Sequence, residues 1–319
     1  MSLAGRGGRG VSSAGLFITA SLVWGSTWLA ITFQLGTVAP EVSVTYRFAL
    51  AALVLGLWCR ATGRSLRFAR ARHPGIAAQG ATMFGVNYVV IYWAEQYVTS
   101  GLVAVLFSSI VFMNIIASRL FFGTPLTARA MTGATLGVGG VALLFLPELV
   151  AAQSGGGAAL GIALALLSAL LSSIGNMFAV RNQQAGVPVL TGTAWGMAYG
   201  AAAAALAAAA SGVSWTFDAR PAYVGSLVYL ALLGSIVAFI AYLTLVQRIG
   251  AGPASYTGVA TPVLAMALST LLEGYRWTWV AAAGVVLAVA GNVLVLRPAP
   301  KTPAVVPTGA NRARASPRR

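Results

Sequence analysis

The chain has 319 residues, 58% of them hydrophobic and 8% charged, with a mean hydropathy of +0.84. Soluble domains run near half apolar and a quarter charged, so this balance excludes an ordinary soluble protein and points to an integral membrane protein. With Cys59 the only cysteine and His73 the only histidine, a disulfide framework, a thiolate metal site and most zinc sites are excluded too; no metal and no cofactor is expected.

Ten apolar stretches follow one another, each bounded by Gly, Pro or charge. The first five run Ala14–Gln34, Pro40–Trp58, Gly75–Tyr92, Thr99–Phe122 and Arg129–Leu146. The second five run Leu160–Val180, Pro188–Ala210, Ala222–Val246, Pro253–Leu272 and Trp277–Leu296. Ten crossings would use about 210 residues and leave roughly 109 for tails and loops, so no soluble domain is needed. No stretch alternates with period two, which excludes a transmembrane barrel. Arg6 and Arg9 precede the first stretch in the manner of a signal peptide. Its length and the nine stretches that follow favour an uncleaved span.

The net charge of +15 would suggest nucleic acid if it lay on a soluble surface. Instead it is spread over loops. With the N-terminus in the cytoplasm, alternate segments gather 17 of the 20 basic residues, from Arg6 to Arg319, on the cytoplasmic side. Arg220 and Arg276 fall opposite, and Arg47 lies within the second stretch. That asymmetry is the positive-inside pattern for ten helices with both termini cytoplasmic. The tail from Arg297 is rich in Pro, Arg and Ala and reads as a disordered cytoplasmic extension.

A fixed shift of 151 residues lays 100–145 over 251–296 without a gap, with four glycines among eleven identities, including Gly133/Gly284 and Gly140/Gly291. The matched blocks are stretches four and five against nine and ten. Five helices per half is an odd number, so the halves would have opposite orientation, the inverted-repeat plan of secondary transporters. The expected fold is an all-α integral membrane protein of ten transmembrane helices in two inverted five-helix repeats. The repeats span 14–147 and 159–297, with an N-terminal tail at 1–13, an outer-side linker at 148–158 and a basic tail at 298–319.

Several short motifs resemble the drug/metabolite transporter superfamily, in its EamA-type branch. They are Trp24-Gly25-Ser26-Thr27, Pro40 with Arg47, Ala94-Glu95-Gln96-Tyr97 leading into Ser100-Gly101-Leu102, Thr261-Pro262, and the turns at Gly123 and Gly274. The resemblance covers about residues 14–296. It implies a basket-like bundle with a central cavity, exporting amino acids or other small metabolites. Thr124 and Tyr275 stand where relatives commonly carry Glu after the turn glycines, Glu273 lies one residue earlier, and Val111 replaces a common proline. Gating and coupling details therefore do not carry over from the family.

Arg47 lies about 10 Å below the outer end of its helix at 1.5 Å per residue. An arginine at depth needs a partner or water. Glu95 and Glu41 are the outer-side acids for an ion pair or a coupling role; the alternative is that Arg47 meets an anionic part of the substrate. Asn87, Asn114, Asn176 and Gln79 are the mid-membrane amides, and each must be satisfied by another helix, water or substrate. The candidate substrate-binding set is Trp24, Arg47, Asn87, Tyr88, Tyr92, Asn114, Asn176, Tyr242 and Tyr256. Gly258 and Pro262 would loosen the ninth helix and are the candidate gate. Trp93, Trp277 and Trp279 suit an interfacial belt.

Small residues should let helices approach closely at Gly133/Gly137, at Gly284/Ala288 and at Gly192/Gly196/Gly200, the last face being also a candidate homodimer contact. An intramembrane enzyme is disfavoured because no nucleophile–base pair or acid dyad lies at depth. The expected partners are a small-molecule solute and the lipid bilayer, and not nucleic acid. The expected function is a permease of the inner or plasma membrane working by alternating access, with multidrug efflux or lipid translocation on the same fold as the alternative.

Overall fold

The computed structural model describes residues 11–144, 146, 150, 157–272 and 278–296. The basic tail from 298, most of the 148–158 linker and the residues Glu148, Glu273, Tyr275 and Arg276 lie outside the described residues. Among the described residues every regular element is helical.

Helix α1 (Ser13–Thr32) and α2 (Pro40–Ala61) come first. The third stretch holds α3 (His73–Gly80) and α4 (Val86–Ala94), joined by a π-helical turn, π1 (Ala81–Gly85). The fourth divides into α5 (Ser100–Phe107) and α6 (Ile110–Phe122), and α7 (Ala128–Leu144) follows. Next come α8 (Ala158–Gln184) and α9 (Val189–Ala210). The eighth stretch is α10 (Pro221–Tyr229), the π segment π2 (Leu230–Val237) and α11 (Ala238–Ile249). A short α12 (Ala251–Ala254) leads into α13 (Thr257–Leu272), and α14 (Trp279–Leu296) ends the described chain.

The helix ends are where the sequence signals put them. Proline opens α2 and α10 at a position whose N–H has no intrahelical partner anyway. Ser12 caps α1, its side chain accepting from the Gly15 N–H at 3.1 Å. At the end of α6, Gly123 takes φ 68°, its N–H bonds the Arg119 carbonyl at 3.0 Å and the Thr124 N–H bonds Ser118 at 3.3 Å. This left-handed closure needs a residue without a Cβ.

Among the described residues six helices are long and apolar enough to cross a membrane: α1, α2, the α5–α6 rod, α8, α9 and the α10–π2–α11 rod. Their outer surface is greasy. Leu120 is 75% exposed and Leu206 72%, a surface that suits lipid and would be an aggregation hazard in water.

The most extensive interhelical contacts are α7 with α14 and α2 with α9. Helices α7 and α14 run antiparallel with glycine at the crossing points. A Cβ on Gly140 would stand 2.6 Å from the Gly284 carbonyl oxygen, and one on Gly291 2.6 Å from that of Gly133. The shift of 151 residues exchanges these two contacts. The same shift carries π1 to positions inside π2, although those stretches share no obvious sequence. On α9, Gly196 and Gly200 face Phe84 of π1 and the backbone at Gly80. That part of the glycine face is thus covered within the chain.

Candidate functional site

A cavity opens in the middle of the bundle, with walls from α1, α4, the α5–α6 junction, α8, α11 and α13. Its volume is about 60 Å³. It is narrow. Its lining includes no charged side chain.

One face of α1 forms a whole wall: Trp24, Thr27, Trp28 and Ile31 recur at i, i+3, i+4 and i+7. Trp24 is fixed by its indole N–H, which donates to the Gly234 carbonyl in π2 at 3.1 Å. Its ring lies 5.0 Å from Phe239 and 5.1 Å from Tyr242 of α11, within the range of edge and tilted aromatic pairs. Opposite, Asn87 donates through Nδ2 to the Met83 carbonyl at 3.2 Å. Its Oδ1 has no hydrogen-bond partner in the protein and so offers an acceptor to whatever fills the cavity. Thr257 and Thr261 continue the polar side; the Thr261 hydroxyl donates to the Thr257 carbonyl at 2.8 Å.

The other expected site residues fall into three groups. Trp24, Asn87, Tyr88, Tyr242 and Gly258 line the cavity. Asn114 and Asn176 stand behind Tyr242, whose hydroxyl faces both amides. Asn176 Nδ2 donates to Asn114 Oδ1 at 3.3 Å, and this leaves Asn114 Nδ2 and Asn176 Oδ1 without partners. Tyr256 is elsewhere. It is fully buried beside α7, and its hydroxyl donates to the Ala130 carbonyl at 2.9 Å. Pro262 sits inside α13 and lacks the N–H that would bond the Gly258 carbonyl four residues back, so the two gate candidates mark one weak point.

Arg47 and Tyr92 form a polar pocket behind Tyr88. The guanidinium is fully buried, lies 4.4 Å from the centre of the Tyr88 ring and donates from Nε to Ser235 Oγ at 3.0 Å. Ser235 in turn donates to the Leu230 carbonyl at 2.9 Å, across the π2 segment. No acid among the described residues lies within ion-pair distance of Arg47. Glu41 is buried near the start of α2. Glu95 lies just past the end of α4, and both of its carboxylate oxygens are buried without a partner. Burial pushes its carboxyl well above the usual carboxylate range, while the nearby Arg47 charge pulls the other way.

Sequence reasoning missed Thr27, Trp28, Phe107, Ser172, Phe239, Thr257 and Thr261 as cavity residues. Most were within reach of it: Thr27 and Trp28 share a helix face with Trp24, and Phe239 precedes Tyr242 by one turn.

A helical bundle with a lipid-suited surface and a narrow central cavity defines a multi-pass membrane protein built around a solute path. The EamA-like transporter family model matches the chain twice, at residues 11–146 and 159–297. The protein belongs to the EamA-like transporter family. It is 26% identical over 276 residues to protein PagO of Salmonella typhimurium, covering 84% of this chain and 87% of that one. It is 27% identical over 302 residues to the uncharacterized inner membrane transporter YedA of Escherichia coli K12, covering 92% and 94%. It is also 23% identical to the uncharacterized transporter YoaV of Bacillus subtilis, covering 78% and 84%. A protein of known crystal structure shares the fold, with a TM-score of 0.69 at 20% identity over 89% of this chain and 96% of that one.

Proposed function

We propose that the protein is a secondary transporter of the cell's inner membrane that exports amino acids or other small metabolites by alternating access. Ten membrane-crossing helices, in two inverted halves with both termini cytoplasmic, carry the solute through the central cavity. The observation that carries this reading is the cavity's construction: α1, α4 and α5 from one half meet α8, α11 and α13 from the other around a tight, uncharged space. The antiparallel α7–α14 crossing at Gly140/Gly284 and Gly133/Gly291 supports inverted halves, because equivalent helices of an inverted repeat meet head to tail.

Trp24, Tyr88 and Tyr242 would hold the solute's apolar part, and Asn87 Oδ1 with the Thr257 and Thr261 hydroxyls its donors. Asn114 and Asn176 act through Tyr242, and Gly258 with Pro262 provides the bend. Arg47 and Tyr92 support the Tyr88 wall from behind. The test is a metabolite profile of cells and medium with the gene overexpressed and deleted. A metabolite that accumulates outside on overexpression, and does so less with Asn87→Ala, supports the proposal; an unchanged profile overturns it.

One observation favours a second reading, transport of hydrophobic drugs or lipids. A groove of about 600 Å³, lined by apolar side chains such as Phe17, Leu22, Val263 and Val293, opens on the outer surface between α1, α13 and α14. Altered resistance to hydrophobic toxicants with an unchanged metabolite profile would select it.

A further inference from the structure

Behind the cavity wall, three polar groups from two helices are buried together and left open. Arg47 Nη1, the Tyr92 hydroxyl and both Glu95 carboxylate oxygens lack hydrogen-bond partners in the protein. Arg47 and Tyr92 are each fully buried. Arg47 is the charged group of the described residues that acts on Glu95, and Tyr92 feels both. A buried carboxylate with no donor is costly, and a buried guanidinium with an open N–H is costly as well. Arg47 and Glu95 are within electrostatic reach of each other but outside ion-pair distance, so a displacement of either helix that closed the gap would pair the two charges.

We propose that Glu95, Arg47 and Tyr92 form a proton-binding site that is mechanically linked to the solute cavity. The inference rests on the transport reading for its purpose and not for its test. A proton from water adds to a Glu95 oxygen, forming an O–H bond and removing the acid's charge. Tyr92 and other neighbouring acceptors are then available to that O–H. When the proton returns to water, the carboxylate regains its charge and attracts Arg47. Arg47 lies on the face of Tyr88, and the same ring lines the cavity. Movement of the guanidinium toward Glu95 therefore moves the cavity wall. Among the described residues the groups facing the pair are Tyr88 and Tyr92 on α4, and Ser235 of π2, which holds Arg47 at 3.0 Å.

The experiment needs no solute. The full-length protein is purified, reconstituted in lipid vesicles and titrated from about pH 5 to about pH 9, a span that brackets a raised carboxyl. The protonated-carboxyl C=O stretch is followed by infrared spectroscopy and the tryptophan fluorescence in parallel. The native protein is expected to show a carboxyl band that fades as pH rises, absent from Glu95→Gln, with a fluorescence change at the same midpoint that Glu95→Gln abolishes. Arg47→Gln should move the midpoint to higher pH. Should that variant not fold, Arg47→Lys, which keeps the charge, should leave the midpoint nearly in place. A carboxyl band that survives in Glu95→Gln, or none in the native protein, overturns the proton site. A band that titrates while the fluorescence change persists in Glu95→Gln overturns its link to the cavity. Failure of the metabolite profile would instead strike the transport reading and leave this titration unaffected.

Discussion

Alanine at Gly140 tests the crossing on which the two-halved architecture depends. Its new Cβ would stand 2.6 Å from the Gly284 carbonyl oxygen and 3.0 Å from the Ala288 Cα. The Ala288 backbone nitrogen is nearer still, and ordinary contact begins near 3.4 Å, so α7 and α14 must separate locally by roughly 1 Å, and a gap of that size forfeits a quarter to a half of each lost dispersion contact. Overpacking of this kind costs about 1–3 kcal/mol. Replacing a helical glycine by alanine returns about 0.5–1 kcal/mol of backbone entropy. The net loss is therefore between about 0 and about 2.5 kcal/mol. Gly291→Ala should lose a similar amount, because its Cβ meets the Gly133 carbonyl oxygen at the same 2.6 Å. Gly139→Ala, one residue away with nothing within 4 Å, should be neutral or stabilising by up to about 1 kcal/mol. The assay is reversible unfolding in mixed micelles by a denaturing detergent, with helical circular dichroism as the readout. Equal effects at Gly139 and Gly140, or a stabilised Gly140→Ala, would refute the close crossing.

Three further substitutions separate cavity residues from packing residues and the membrane from its loops. Tyr256→Phe removes the hydrogen bond to Ala130 and should cost about 0.5–1.5 kcal/mol of stability while leaving solute affinity unchanged; Tyr242→Phe, at the cavity, should weaken uptake of the identified solute in vesicles. In the loop before α10, the Arg220 guanidinium hydrogen-bonds the Asp218 carboxylate and holds its pKa below the usual carboxylate range. A depressed acid stabilises the fold above its unfolded pKa, near about 4, and loses that contribution as pH falls through the folded value. Asp218→Asn should accordingly flatten the acid limb of a thermal-stability profile recorded below about pH 5, and an unchanged limb would count against the pair.

What the sequence made legible follows from what hydropathy and punctuation can encode. All ten apolar stretches contain helix, and where the described residues include a helix end it lies within four residues of the expected one, because Gly, Pro and charge bound the apolar runs in a chain with few polar residues. The repeat was legible in the fourth and fifth stretches, where four glycines coincide. It was invisible in the third and eighth, where the correspondence lies in two π segments whose residues differ. A π turn changes backbone geometry without changing hydropathy, so no composition signal marks it. The depth of Arg47 was readable from counting along α2, but its partner was not. Ser235 is 188 residues away, and it reaches the guanidinium from within π2, a segment that sequence reading leaves as plain helix. The Asn114–Asn176 pair is hidden for the same reason, each amide being readable as buried and neither as the other's partner.

Two of the features that escaped sequence reading, the π2 segment and the partner of Arg47, meet in one place. The π2 segment presents the Gly234 carbonyl to Trp24 and the Ser235 hydroxyl to Arg47 on consecutive residues. One irregularity of the backbone thus holds a cavity wall on one side and a buried charge on the other. Regular α-helix would place consecutive residues about 100° apart at a single fixed spacing, and the extra residue of the π turn shifts that register. Any motion that straightened or wound π2 would move Trp24 and Arg47 together. The backbone defect is therefore the physical joint between the solute path and the Arg47 pocket, and the place where a mechanism that links them would be built.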